Sequence, residues 1–342
     1  MKKILITGGA GFIGSHTVVA VYENGYLPVI VDNFSNSEKF VLKGIAEICG
    51  REFRCYEGDC VDAAFMRHVF KSEKKIDGVI HFAAYKAVKE SIEQPEKYYH
   101  NNIGSLLTLL AVMKESATLP LVFSSSCTVY GNPDHCPVTE ETPIKDTPTP
   151  YGRTKQIGEQ ILEDVVKSGK DIKAIALRYF NPIGAHPGGL IGELPIGIPN
   201  NLVPYITQTA AGIRQQLTVF GEDYDTPDGS CVRDFIHVMD LAEAHVKAMD
   251  YLATRSEPRC YVKFNVGTGR GHSVKEVVET FQRVNKLKLN YIIGPRRDGD
   301  VEQVYANTDR ANKFMGWKAR LSLQQALQDA WRWQRKLQKK GL

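Results

Sequence analysis

The chain has 342 residues, 43% of them apolar and 24% charged, and carries a formal net charge of +4. The apolar content suffices for one large α/β body with an appendage or for two lobes, and so slight a positive balance lacks the concentrated basic patch of a nucleic-acid binder. No stretch approaches the ~20 apolar residues of a membrane span, so neither a membrane nor a nucleic acid is expected as a partner.

The chain opens with two lysines and a short apolar run that ends at Gly8-Gly9. That is too short for the apolar region of a signal peptide and reads as a buried first strand, Lys3–Thr7. Further strand-like runs follow at Leu27–Asp32, Phe53–Glu57, Gly78–Phe82, Leu121–Ser125 and Ile172–Phe180, with helical patterns between them at Ile13–Asn24 and Asn101–Ser116. Alternating elements with near-continuous apolar strands predict a doubly wound parallel sheet of α/β class, covered on both faces. Residues 181–204 are rich in Gly and Pro. After them come fragments at Leu202–Gly212, Leu217–Phe220, Asp240–Leu252, Tyr261–Val266 and Val274–Val284. The expected organisation is a dinucleotide-binding domain over 1–180 and, over 181–342, mainly a smaller substrate-binding lobe with some segments returning to the first. The basic run at Arg335-Lys336 and Lys339-Lys340 reads as a solvated helix end. Cys49, Cys55, Cys60, Cys127, Cys136, Cys231 and Cys260 make an odd set without a C-x-x-C pair, as expected of reduced thiols in a cytoplasmic protein. The nine histidines lack metal-site spacing, so no metal is expected.

Thr7-Gly8-Gly9-Ala10-Gly11-Phe12-Ile13-Gly14 follows the first strand and opens a helix. Gly8, Gly11 and Gly14 permit a tight turn, close approach to a pyrophosphate and close helix–strand contact, and the helix end supplies amides and positive partial charge. Asp32 ends the second strand 18 residues beyond Gly14. A carboxylate there accepts from ribose hydroxyls and repels a 2′-phosphate, which favours NAD over NADP. Asp59, in Gly58-Asp59-Cys60, stands either at an adenine or as the N-cap of the next helix.

Tyr151 and Lys155 are four residues apart after Pro150, hence on one helical face. A phenol titrates at about 10, so a phenolate near neutrality needs ~4 kcal/mol of stabilisation from neighbouring charge. Lys155 and an oxidised nicotinamide are suited to provide it. An isolated Y-x-x-x-K is common, and its surroundings give it weight. Ser124-Ser125-Ser126 closes the fifth strand, at the carboxyl edge where such sheets bind ligands.

Together, T-G-G-x-G-x-x-G, S-S-S-x-x-V-Y-G and Y-G-x-x-K resemble the extended short-chain dehydrogenase/reductase family across nearly the whole chain. Phe82-Ala83-Ala84-Tyr85-Lys86-Ala87-Val88, Arg178–His186 and Val232–Asp240 look like its UDP-galactose 4-epimerase branch. The resemblance implies an epimerase with bound NAD acting on UDP-hexoses through a 4-keto sugar. It makes Tyr151 the base on the sugar 4-hydroxyl, Ser126 its hydrogen-bonding partner and Lys155 the residue that tunes it. Gly8, Gly11, Phe12, Ile13, Gly14, Asp32, Asn33, Phe34, Ser35, Asn36, Ser37, Asp59, Cys60, Phe82, Ala83, Ala84, Lys86, Asn101, Ser124, Tyr179 and Phe180, with Tyr151 and Lys155, would line the cofactor. Asn181, Asn201, Leu202, Phe220, Arg233, Arg297, Asp300 and Val304, with Ser126 and Tyr151, would hold the UDP-sugar. The seventh residue after Arg297, Val304, borders the sugar in that branch. A small side chain there implies acceptance of N-acetylated hexoses. A homodimer through paired helices is also implied, with apolar stripes at Leu106–Val112 and at Ile157, Ile161, Leu162, Val165 and Val166. Two alternatives remain open: a nucleotide-sugar 4,6-dehydratase, which needs an acid pair where Cys127-Thr128 stand, and a non-catalytic NAD-binding protein.

Overall fold

The computed structural model describes residues 1–117, 120–297 and 300–341. Its strands are β1 (Lys3–Thr7), β2 (Leu27–Asp32), β3 (Cys55–Glu57), β4 (Gly78–His81), β5 (Pro120–Ser126), β6 (Lys173–Tyr179), β7 (Asn181–Ile183), β8 (Leu217–Phe220), β9 (Val232–Arg233), β10 (Phe235–His237), β11 (Cys260–Val266), β12 (His272–Ser273), β13 (Tyr291–Gly294) and β14 (Gln303–Val304). The helices are α1 (Phe12–Glu23), α2 (Phe40–Cys49), α3 (Ala63–Glu73), α4 (Val88–Glu93), α5 (Pro95–Glu115), α6 (Pro150–Lys167), α7 (Leu202–Ala210), α8 (Val238–Thr254), α9 (Val274–Asn285), α10 (Asp309–Met315) and α11 (Leu323–Lys339).

Seven strands form one sheet in the order β11-β6-β5-β4-β1-β2-β3, and every pairing is parallel. The strand sequences require cover on both sides. In β1, Ile4 and Ile6 enter one apolar cluster and Leu5 the other. The order reverses direction beside β1, which leaves a crevice at the carboxyl ends of β1 and β4. The residues after β6 build small sheets, β7 with β10, β8 with β13, and β9 between β12 and β14. These pack with α7, α9 and α11 around a third apolar cluster that includes Ile206, Phe235, Phe281 and Leu327.

Four elements differ from their sequence signals. Tyr261–Val266 reads as part of the smaller lobe, yet β11 is an edge strand of the main sheet, in full register with β6. The following helix in space, α8, lies with α1 in the core of the first body. Apolar parallel strands look alike wherever they dock, so chain position misleads here. Helix α5 begins at Pro95 rather than Asn101 because proline suits the first helical position, and the polar residues 95–100 mask the period. Strand β3 is shorter than the apolar run that contains it: pairing with β2 starts only at Cys55.

Candidate active site

The amino end of α1 meets the carboxyl end of β1 in a loop whose glycines leave little room for a Cβ. A Cβ on Gly14 would lie 2.1 Å from the Gly8 carbonyl oxygen, and Gly8 has a φ of +69° with Ala83 close against it. Helix α1 has no side-chain cap, so its first-turn amides are available to an anion. Asp32 is 8% exposed. Its carboxylate accepts from Ala10 N at 2.9 Å, Phe34 N at 2.9 Å and Ser37 Oγ at 2.9 Å, which shapes the 32–37 turn around it. Asn33 donates to Asp59 at 3.2 Å, and Asp59 also accepts from Val61 N. The N-cap of α3 is Asp62, so Asp59 is free of that duty. Asp59 and Asn101 line one surface cleft of about 460 Å3, with Tyr85 between them. Cys60 is buried beneath, its thiol pushed up by burial.

Beyond β4, Phe82, Ala83 and Ala84 run along the crevice. Ala83 N donates to Thr7 Oγ1 at 3.4 Å. Phe82 lies 4.7 Å from the His245 ring, and Tyr179 bonds His245 Nε2 at 2.5 Å. The other His245 nitrogen faces the Leu241 carbonyl at 2.8 Å. A carbonyl only accepts, so Nδ1 carries the proton and the Tyr179 hydroxyl donates to Nε2. Burial lowers His245 to about 3 and so keeps it neutral.

Helix α6 carries Tyr151 and Lys155. Thr149 Oγ1 caps Gly152 N at 3.2 Å, and Pro150 occupies the first turn. Lys155, 4% exposed, donates to the Ser124 carbonyl at 2.7 Å, and its ammonium is 5.9 Å from the Tyr151 ring centre. Burial lowers Lys155 to about 7. Burial also raises Tyr151 to about 12, with the Ser126 hydroxyl pulling the other way. The protein alone therefore holds both groups towards neutrality. A phenolate and an ammonium here are each disfavoured singly and stabilise one another when formed together.

The smaller lobe closes the far side. Asn181 Oδ1 and Thr128 Oγ1 are buried with no hydrogen-bond partner in the protein, as expected of groups that await a polar ligand. Asn201, at the N-cap of α7 just before Leu202, does not cap that helix. It donates to Glu193 Oε1 at 2.5 Å, which also receives Lys86 at 3.2 Å. Arg297 donates to Asp300 at 2.5 and 3.1 Å, Arg233 stands 3.8 Å from the same carboxylate, and Arg297 lies 5.8 Å from the exposed Phe220 ring. Asp298 and Gly299, between Arg297 and Asp300 in sequence, lie outside the described residues. Val304 pairs with Arg233 and is buried in a cluster with Val129, Tyr130 and Phe180, against which Cys127 packs. Tyr305 belongs to the other face, against Gly271.

The structure thus gathers Gly8–Gly14, Asp32–Ser37, Phe82–Ala84, Ser124, Ser126, Tyr151, Lys155 and Tyr179 along one crevice. In the Val232–Asp240 motif Arg233 faces the Asp300 carboxylate. Asp234 instead receives Thr268, Gly269 and Ala306 amides, and Asp240 receives Arg320 and Leu321 amides. Three residues escaped the sequence reading: Glu193, His245 and Glu159. Only Glu159 had a signal, its helical spacing from Tyr151 and Lys155.

A profile of the NAD dependent epimerase/dehydratase family matches residues 4–267. The UDP-glucose 4-epimerase of Neisseria meningitidis serogroup B is 49% identical over 333 residues, 97% of each chain. The crystal structure of UDP-glucose-4-epimerase from Stenotrophomonas maltophila with bound NAD and formylated UDP-arabinopyranose is similar at a TM-score of 0.96 and 44% identity, covering 99% of this chain and 100% of that one. The Bifidobacterium longum UDP-glucose 4-epimerase, in complex with NAD+ and UDP, gives 0.93 and 45%, covering 98% of each.

Proposed function

The chain belongs to the NAD dependent epimerase/dehydratase family, and we infer that it is a UDP-hexose 4-epimerase that keeps NAD bound through its cycle. The observation that carries this reading is the meeting of Tyr151, Lys155 and the Ser124–Ser126 edge beside the uncapped end of α1. The residues fit the dinucleotide: Gly8, Gly9, Gly11 and Gly14 carry no Cβ that could obstruct a pyrophosphate, and Asp32 is a buried carboxylate at the end of β2. NAD, when bound, would supply the hydride chemistry at C4 of the sugar in both directions.

The chain's own residues do the rest. Tyr151 takes the O4 proton as C4 is oxidised and gives it back when the keto sugar is reduced on its other face. Ser126 hydrogen-bonds that oxygen, and Lys155 offsets the phenolate. The sugar must turn while the nucleotide stays. Firm donors on the UDP portion serve this: Arg233 and Arg297, pre-aligned by Asp300, match diphosphate oxygens, and Phe220 offers a ring to uracil. Asn181, Asn201 and Leu202 complete that half. Dehydration would need an acid pair after β5. Cys127 stands there instead, raised to about 12 by burial and therefore neutral.

Val304 packs beside Phe180 and Cys127; its small side chain supports acceptance of N-acetylated hexoses, since a valine takes up less of a sugar wall than an aromatic ring. The exposed apolar side of α5 supports a homodimer, and seven free thiols support a cytoplasmic setting. Purified protein given UDP-galactose or UDP-GalNAc without added NAD should form the gluco epimer of each. Protein with bound NAD that converts none of these sugars would sink the epimerase reading; conversion of UDP-galactose alone would remove only the N-acetyl extension.

A further inference from the structure

Glu159 and Arg178 form a fully enclosed ion pair that the reaction itself does not use. Arg178 is 0% exposed. Its Nε donates to Glu159 Oε1 at 2.9 Å and its Nη2 to Oε2 at 2.6 Å. Nη1 donates to the Tyr130 hydroxyl at 2.9 Å, which in turn donates to Asn265 Oδ1 at 2.6 Å. Burial works against the Arg178 cation, and the Glu159 hydrogen bonds and charge more than offset it.

We propose that Glu159 and Arg178 are positioning residues that fix the register of α6 along β5 and thereby aim Tyr151 at the substrate oxygen. The proposal rests on the reading of Tyr151 as the base. Tyr151, Lys155 and Glu159 follow one another at a spacing of four, one helical face advancing about 5.4 Å per turn. Each meets a different part of the same serine edge. Tyr151 lies with the Ser126 hydroxyl, Lys155 holds the Ser124 carbonyl at 2.7 Å, and Glu159 receives the Ser125 hydroxyl at 2.5 Å.

The remaining contact between helix and strand is smooth. Gly158 brings the α6 backbone so near Phe123 that a Cβ would fall 2.6 Å from the ring. Apolar contact is non-directional and tolerates sliding. A guanidinium fork on a carboxylate is directional. Arg178 is carried by β6, in register with β5 through Ser125↔Arg178. The fork therefore ties the helix to the sheet one turn past Lys155. Such a pair contributes little net stability compared with apolar residues of similar volume, so geometry is its better explanation.

The test compares NAD-bound wild type with the double variant Glu159→Leu/Arg178→Met and with Ser125→Ala. An apolar pair can fill the site without leaving a lone buried charge. The double variant is expected to keep its NAD and its thermal midpoint, with KM for UDP-galactose within about twofold. Its kcat should fall on the order of 10²-fold, the cost of a misplacement of about 1 Å. Ser125→Ala removes one hydrogen bond and should lower kcat about fivefold. A folded double variant with wild-type kcat overturns the proposal. If that variant does not fold, unchanged kcat in Ser125→Ala overturns it and a loss at constant KM supports it. A wild type that epimerises nothing would instead refute the functional reading.

Discussion

Tyr151 must lose and regain a proton inside a site whose burial raises its phenol to about 12. On the proposed mechanism Tyr151→Phe lowers turnover at least ~10²-fold, the range of a general base, while UDP affinity measured by calorimetry stays nearly unchanged. Turnover close to normal in that variant would take the role from Tyr151. Lys155 gives a pH signature. Its folded value is about 7 against an ordinary value of 10.5, so between these limits the unfolded chain holds a proton that the folded chain lacks. Stability then rises with pH across that window. In NAD-free protein, urea unfolding of wild type against Lys155→Met should shift in favour of wild type from pH 7 to 10; a constant difference would mean that Lys155 is not desolvated. Val304 was reached from sequence by counting from Arg297, where an offset of one would have put Tyr305 at the wall. The two side chains occupy opposite faces, Val304 with Phe180 and Tyr305 against Gly271. Val304→Tyr should suppress conversion of UDP-GlcNAc and UDP-GalNAc in a coupled assay and largely spare the plain hexoses, because lost packing discriminates by only ~1–3 kcal/mol whereas a filled pocket excludes. Equal loss on both substrate pairs would argue against a gate.

At the level of elements, legibility follows how local the cause is. The β1–α1 turn was readable because glycine spacing is a local demand: Gly14 must carry no Cβ, since one would lie 2.1 Å from the Gly8 oxygen. Gly14→Ala should therefore lower both NAD content, read from the absorbance of released cofactor, and the melting midpoint. Full cofactor content in that variant would show that the loop can yield. The Tyr151–Lys155 pair was readable because helical spacing alone puts both on one face. The serine edge opposite them was legible too, from its place at the end of a strand; the Arg178 fork and His245 were not, because they arrive from β6 and α8, far apart in sequence. Asp234 and His237 sit in a motif that looks functional, but they staple the smaller lobe together: Asp234 gathers amides of the 268–269 turn, and His237 stands 3.3 Å from Asp329 of α11. A motif marks residues that must stay as they are without saying whether a ligand or a backbone amide is the reason. Glu193 had no sequence signal at all, since its partners Lys86 and Asn201 lie on two different segments that only the fold brings to one carboxylate oxygen.

For the whole molecule, the open question of architecture is what covers α5 and α6. Their apolar stripes divide in the structure. Leu106, Leu109, Val112 and Leu162 are buried against the sheet, and Ile161, Val165 and Val166 pack partly against the same cluster. Leu107 points outward at 50% exposure, with Val88 and Ile92 of the adjoining α4 at 45% and 59%. Ile103, Leu107 and Ala111 share a face of α5 at spacings of four, as Ile157, Ile161 and Val165 do on α6. A stable interface buries about 800 Å2 on each partner, which Leu107 and its α4 neighbours cannot provide unaided. On the proposed homodimer the half-covered residues of both helices would have to contribute, as a pairing of α5 and α6 with those of a second copy would make them do. A charge at the centre of that patch would be desolvated without a partner. Sedimentation equilibrium at micromolar concentration should accordingly give twice the chain mass for wild type and the single chain mass for Leu107→Asp, with NAD still bound because the crevice lies at the carboxyl edge of the sheet rather than on this face. A monomeric wild type would leave the apolar side of α5 without a role in self-association, and a dimeric Leu107→Asp would move the interface elsewhere on the molecule.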